Sequence, residues 1–314
     1  MEERKLNVKQ ILIFLVITFA VTYGVEIFVI APMVGSVDVN KAMLAQALIV
    51  MVMFIPALGV VLTRMITKEG FRGKDLYFSI HIKDDLKYYG IVWPLFAVLI
   101  LAGAILYFLV FPAQYDRNMG YAAALFNAQL ETPMTVREIK QVMIMQIAVG
   151  AVFAPFANII NCLGEEWGWR GYLLPKLLKQ FKVVPAVLID GIIWGIWHAP
   201  LIVLGHNYGT GYPGFPITGI LAMCVFCVVI GTIFSYVTIK TNSCVPAILG
   251  HSMINGFATI GIYFTSLENP YNVFLGPAPT GIIGGTGFIV LAAYLLWKLH
   301  KEEKTSCHLK SEVL

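Results

Sequence analysis

The chain has 314 residues, 58% hydrophobic and 13% charged, with a mean hydropathy of +0.78 and a formal net charge of +4. A soluble domain carries about 25% charged residues, so the charge deficit excludes a soluble globule built on one buried core. No basic run interleaved with aromatics points to nucleic acid, and the apolar runs are continuous and about 20 residues long rather than short and alternating, which selects membrane-spanning helices over a barrel.

The N-terminal ten residues are charged and lead into an apolar run over 11–31. That run exceeds the roughly 7–15 residues of a signal-peptide core, so it is expected to stay as a first span. Further spans are predicted near 43–63, 90–111, 142–163, 184–204, 217–238, 244–264 and 282–299, giving an all-α polytopic bundle of eight spans. Residues 1–314 read as a single membrane domain. Glu26, late in the first span, is expected to reach water at the outer interface. With the N-terminus in the cytoplasm, 18 of the 22 Lys and Arg residues fall on the inner side and only Lys41, Arg117, Arg137 and Lys140 outside. This asymmetry predicts both termini to be cytoplasmic. The connections 64–89 and 112–141 are long. Each reads as a solvated loop, the first alternatively as a segment lying along the membrane surface.

The fourth span runs into Gly164-Glu165-Glu166-Trp167-Gly168-Trp169-Arg170, with helix expected to extend beyond the apolar part. Ionisable groups at membrane depth are costly and mark function. Glu166 and Arg170 are i, i+4 neighbours and are predicted to pair. Glu165 lies about 100° around the helix, where a carboxylate could act as a general base. A span ending in solvated charges is the alternative.

In the fifth span, Trp194-Gly195-Ile196-Trp197-His198-Ala199-Pro200 places an imidazole well inside an apolar helix, with Asp190 two turns earlier. Either residue could serve chemistry or bond to a neighbouring helix. In the seventh span His251 and Asn255 share a face at i, i+4, and both can donate hydrogen bonds to one point; helix–helix glue is again the alternative. The C-x-x-C of Cys224 and Cys227 sits in a strongly apolar segment and reads as packing, and with Cys162, Cys244 and Cys307 it makes no disulfide framework.

H-E-x-x-H, G-x-S-x-G and G-x-G-D are absent, as is a P-loop. What remains is a Glu/His/His/Asn set.

Glu165-Glu166-x-x-x-Arg170, Trp194-x-x-x-His198 and His251-x-x-x-Asn255, in this order, resemble the CPBP family of CAAX proteases and bacteriocin-processing membrane proteins, within a motif core of about 142–264. The family pattern often has Phe where this chain has Trp194. The resemblance implies an intramembrane endopeptidase with a cavity open to the cytosol, acting on a peptide or lipid-anchored protein in a cell membrane, with a bacterial setting expected. It further implies that Glu165 and His198 activate water, that His251 and Asn255 stabilise the oxyanion, and that Glu166 and Arg170 support the site. A non-catalytic immunity or scaffold protein on the same fold and a transporter are the competing readings. One carboxylate and two imidazoles, Glu165, His198 and His251, could also ligate zinc and leave a place for water. Because a metal would consume the donor that His251 offers beside Asn255, no cofactor is the favoured reading, with zinc the alternative.

Overall fold

A computed structural model describes residues 2–71, 74–128 and 130–312, with the side chains of 2, 3, 74 and 306–312 also outside the description. Arg72 and the side chains of Lys74, Cys307 and Lys310, which entered the charge and cysteine readings, lie outside the described residues.

The described residues are all-helical, with only isolated bridges and no strand. In chain order the α-helices are α1 (Glu2–Val25), α2 (Val39–Val52), α3 (Ile55–Thr67), α4 (Ile82–Val92), α5 (Pro94–Val110), α6 (Gly120–Asn127), α7 (Val136–Ala157), α8 (Ile159–Gly168), α9 (Leu174–Leu178), α10 (Val183–Trp197), α11 (Ala199–Val203), α12 (Ile217–Thr241), α13 (Val245–Phe257) and α14 (Thr286–Glu312). Among the described residues, five continuous helical stretches are long and apolar enough to cross a membrane: Arg4–Ile30, Ile82–Val110, Val136–Ala157, Ile217–Thr241 and Val245–Phe264. A sixth candidate is α2 with α3, bent by 45°. The protein is thus a polytopic helical membrane protein, as the composition required.

The chain forms two compact units, one of 1–88, 160–248 and 291–314, the other of 89–159 and 249–290. In the first, α10 packs along α12 at close range. A Cβ added at Gly191 would lie 2.7 Å from the Val228 Cα, and one at Gly195 would lie 2.5 Å from the Cys224 Cα. Small residues at i, i+4 are what let two apolar helices approach this closely. Cys224 therefore acts as packing, and none of Cys162, Cys224, Cys227 and Cys244 is in a disulfide.

The same device seats α8. Added Cβ atoms would fall 2.5 Å from the Met53 carbonyl oxygen at Gly164 and 2.4 Å from Pro56 Cβ at Gly168. The two glycines of the Glu-Glu motif thus admit the bend between α2 and α3, where Pro56 stands in the first turn of α3. Beyond α8 the helix continues through a π turn, Trp169–Leu173, into α9.

In the second unit α7 begins with a capping box: the Glu138 N–H donates to the Thr135 hydroxyl at 3.3 Å, and the Thr135 N–H to the Glu138 carboxylate at 2.7 Å. Near its other end Pro155 has no N–H to give to the Ala151 carbonyl. The Trp93 indole N–H fills that place at 3.0 Å. One turn on, the ladder is spliced by Ser252. Its hydroxyl donates to the Ala154 carbonyl at 2.9 Å and accepts the Asn158 N–H at 3.0 Å. The serine inside the His-Ser-Met-Ile-Asn segment therefore closes a helix end, which accounts for its burial.

Candidate functional site

Arg170 is the centre of a dry ion cluster in the first unit. Its Nη1 is 3.1 Å from Glu166 Oε1, the pairing expected from the i, i+4 spacing, and its Nε is 3.3 Å from Asp190 Oδ2. All three side chains are 0% exposed. The sequence left Asp190 with two readings; it joins this cluster from α10. Gly231 on α12 makes the room: a Cβ there would sit 2.5 Å from Arg170 Nη2. The guanidinium also lies over two aromatic faces, 4.2 Å from the centroid of Trp194 and 5.4 Å from that of Phe234.

Glu165, one residue before the cluster, points elsewhere. Its Oε2 accepts the indole N–H of Trp194 at 2.8 Å, and the carboxylate is buried. His198 follows Trp194 by one turn. Its Nδ1 lies 2.8 Å from the Trp194 carbonyl oxygen. A carbonyl can only accept, so Nδ1 carries the proton and Nε2 holds the lone pair. The imidazole stands edge-on to two indoles, 5.7 Å from Trp194 and 4.9 Å from Trp197. Glu165 and His198 are thus brought together around one residue, Trp194.

The sequence placed His198 within an unbroken span, about 14 residues or ~21 Å of rise from its start. Here it is the residue at which the helix breaks, capping α10 and preceding α11. Pro200 in the first turn of α11 lacks an N–H, and the His198 side chain occupies the Trp194 carbonyl, so the ladder stops there.

Glu26 is a second difference. It does not reach water: its side chain is buried, at 0% exposure, and neither oxygen has a hydrogen-bond partner among the described residues. It opens a π turn, Glu26–Ile30. The turn before it is fastened to α10, with the Trp197 indole N–H donating to the Thr22 hydroxyl at 2.8 Å and the Tyr23 hydroxyl to the Ile196 carbonyl at 2.7 Å. Packing against α10 encloses a carboxyl that hydropathy alone put at an interface.

His251 and Asn255 belong to the second unit, one turn apart on α13. His251 is buried and Asn255 exposed. Among the described residues no group of three or more His, Cys, Asp and Glu side chains is arranged to hold a metal ion.

A separate polar cleft of about 230 Å³ lies in the first unit, lined by Gln10, Arg64, Glu69, Tyr172 and Lys176 among others and by none of the motif carboxylates or imidazoles. Burial pulls Glu69 upward, but hydrogen bonds from Lys176, Tyr172 and Thr67 hold it below the usual carboxylate range. Burial lowers Lys176, its Glu69 partner opposing.

The bond from Trp194 to Glu165 is the contact that sequence reading missed. The signal was present: a buried indole needs an acceptor for its N–H, and Glu165 was among the few candidates.

Residues 144–257 match the family described as type II CAAX prenyl endopeptidase Rce1-like. A curated relative, "CAAX prenyl protease 2" of the archaeon Methanococcus maripaludis, is 32% identical over 101 residues, which cover 32% of this chain and 37% of the relative. The chain therefore spans well under half the length of the curated relative it matches. The matched stretch holds all of Glu165, Glu166, Arg170, Trp194, His198, His251 and Asn255. Through that stretch the chain is similar to the Rce1-like type II CAAX prenyl endopeptidases.

Proposed function

We propose that this chain is an intramembrane endopeptidase that hydrolyses a peptide bond in a membrane-associated peptide or lipid-anchored protein. The observation that carries the reading is that Glu165 and His198 both bond to Trp194: a buried carboxylate that accepts the indole N–H, and an imidazole whose Nδ1 donates to the Trp194 carbonyl, which puts the basic nitrogen of the neutral ring at Nε2. Water attack on an amide needs a base for the water proton and donors for the oxygen that becomes negative. Glu165 and His198 take the proton as the water oxygen bonds to the carbonyl carbon. The family resemblance assigns the oxyanion donors to His251 and Asn255. The proton then passes to the leaving nitrogen as the C–N bond breaks, giving a carboxylate and an amine. Glu166, Arg170 and Asp190 hold the fold around this pair.

No step is routed through a metal. A nitrogen of His251 given to a metal would be lost as an oxyanion donor, and Asn255 would be left to act alone. The substrate class follows the relative's name and the membrane setting: a chain bearing a lipid anchor, cut near that anchor. The excess of Lys and Arg on one side of the spans supports cytoplasmic termini.

Purified protein in lipid nanodiscs, given a library of lipid-anchored peptides, tests the reading. Wild type is expected to release defined fragments, Glu165→Ala to release none, and EDTA to leave the rate unchanged. Equal cleavage by Glu165→Ala would overturn the assignment of the base. Loss on chelation with recovery on added zinc would overturn the metal-free route.

A further inference from the structure

We infer that Trp194 is a positioning residue that ties the catalytic pair to the ion cluster behind it. The inference rests on the hydrolytic role proposed for Glu165 and goes beyond it to how that carboxylate is aimed.

Trp194 is 3% exposed and uses each of its parts on a different neighbour. Its indole N–H donates to Glu165 Oε2 at 2.8 Å. Its carbonyl oxygen accepts from His198 Nδ1 at 2.8 Å. Its ring face carries the Arg170 guanidinium at 4.2 Å, and Arg170 is itself held by Glu166 and Asp190. The side chain has two torsions, and both are constrained: the face by the cation, the edge by the carboxylate. A cation over the face also withdraws electron density from the ring, which strengthens the N–H as a donor. The donor on Glu165 fixes the orientation of Oε2.

Phenylalanine at this position could still stack beneath Arg170 but has no N–H. A chain with Phe here must orient its carboxylate by another donor, whereas this one does it through the indole. The effect belongs to the chemical step, because Trp194 holds the base and is not assigned any contact with substrate.

The test uses three forms of the full-length protein in nanodiscs: wild type, Trp194→Phe, and Trp194→benzothienylalanine, which keeps the bicyclic shape and replaces the N–H by sulfur. Both variants are expected to lose kcat roughly 10- to 100-fold, the scale of one hydrogen bond to a charged group, with KM within about twofold. Wild-type kcat in the isostere would overturn the inference. So would a KM increase with kcat kept, which would place Trp194 in substrate binding.

A second readout does not depend on turnover. With isotope-labelled tryptophan, the indole N–H signal that vanishes in Trp194→Phe is expected to move upfield in Glu165→Gln, as a charged acceptor becomes a neutral one. An unmoved signal would overturn the hydrogen bond itself. If wild type cleaves nothing, or if Glu165→Gln cleaves at the wild-type rate, the hydrolytic reading fails while this signal still decides whether Trp194 holds Glu165.

Discussion

Glu26, Glu165, Glu166 and Asp190 are buried in the first unit, and they differ in what surrounds them. Glu166 and Asp190 flank one guanidinium, Glu165 has an indole donor, and Glu26 has no hydrogen-bond partner among the described residues. Burying a polar group without a hydrogen bond costs about 1–3 kcal/mol by mutational measures. Glu26→Leu, close in volume, is therefore expected to raise the apparent melting temperature in detergent by a few degrees. A lowered melting temperature would mean that the Glu26 carboxyl is held by a group that stabilises the fold. Sequence alone gave the Glu166–Arg170 pair because i, i+4 geometry is local. It could not give Glu26, whose burial depends on α10 lying across the end of α1, some 170 residues away in the chain.

At the level of helices, each unit is marked by interruptions. α7 ends where Pro155 breaks its ladder, α8 passes into a π turn at Trp169, and α10 stops at His198. Two of these breaks free backbone carbonyls that side chains then take up: Trp93 and Ser252 for α7, His198 for α10. Hydropathy windows see only the apolar run, so they returned continuous spans at 142–163 and 184–204. The prolines at 155 and 200 were the legible warning. The glycines were legible as composition but not as contacts, since Gly164 and Gly168 acquire meaning only against Met53 and Pro56.

Arg170 ties these elements together, reaching Glu166 on α8, Asp190 and Trp194 on α10, and Gly231 and Phe234 on α12. Arg170→Ala strands two buried carboxylates. Breaking a buried pair from one side costs about 3–5 kcal/mol. The expected outcome is a marked drop in monodisperse protein on size exclusion after membrane extraction. A well-folded variant that has lost only turnover would give Arg170 a role in the chemistry.

For the molecule as a whole, the surface matches the composition. Large apolar side chains stand outward along the spans, among them Phe28 at 79% exposure and Leu109 at 74%. A water-soluble monomer rarely exposes continuous apolar surface, whereas lipid requires it. The membrane class was therefore plain from 58% hydrophobic residues alone. The motif residues were legible because ionisable groups are so few in the apolar runs. What the linear pattern could not convey was the Trp194 bridge, which needs α8 and α10 side by side.

The central proposal is that Glu165 and His198, gathered around Trp194, act in one reaction. The direct measurement is a double-mutant cycle on the single-turnover rate with one lipid-anchored peptide, using Glu165→Gln, His198→Ala and the pair together. Groups that act as a unit are strongly non-additive, since losing one leaves little for the other to contribute. Each single substitution is expected to slow cleavage by about a thousandfold or more, and the double variant to be scarcely slower than the worse single one. Losses that multiply, or a His198→Ala variant at the wild-type rate, would contradict the account.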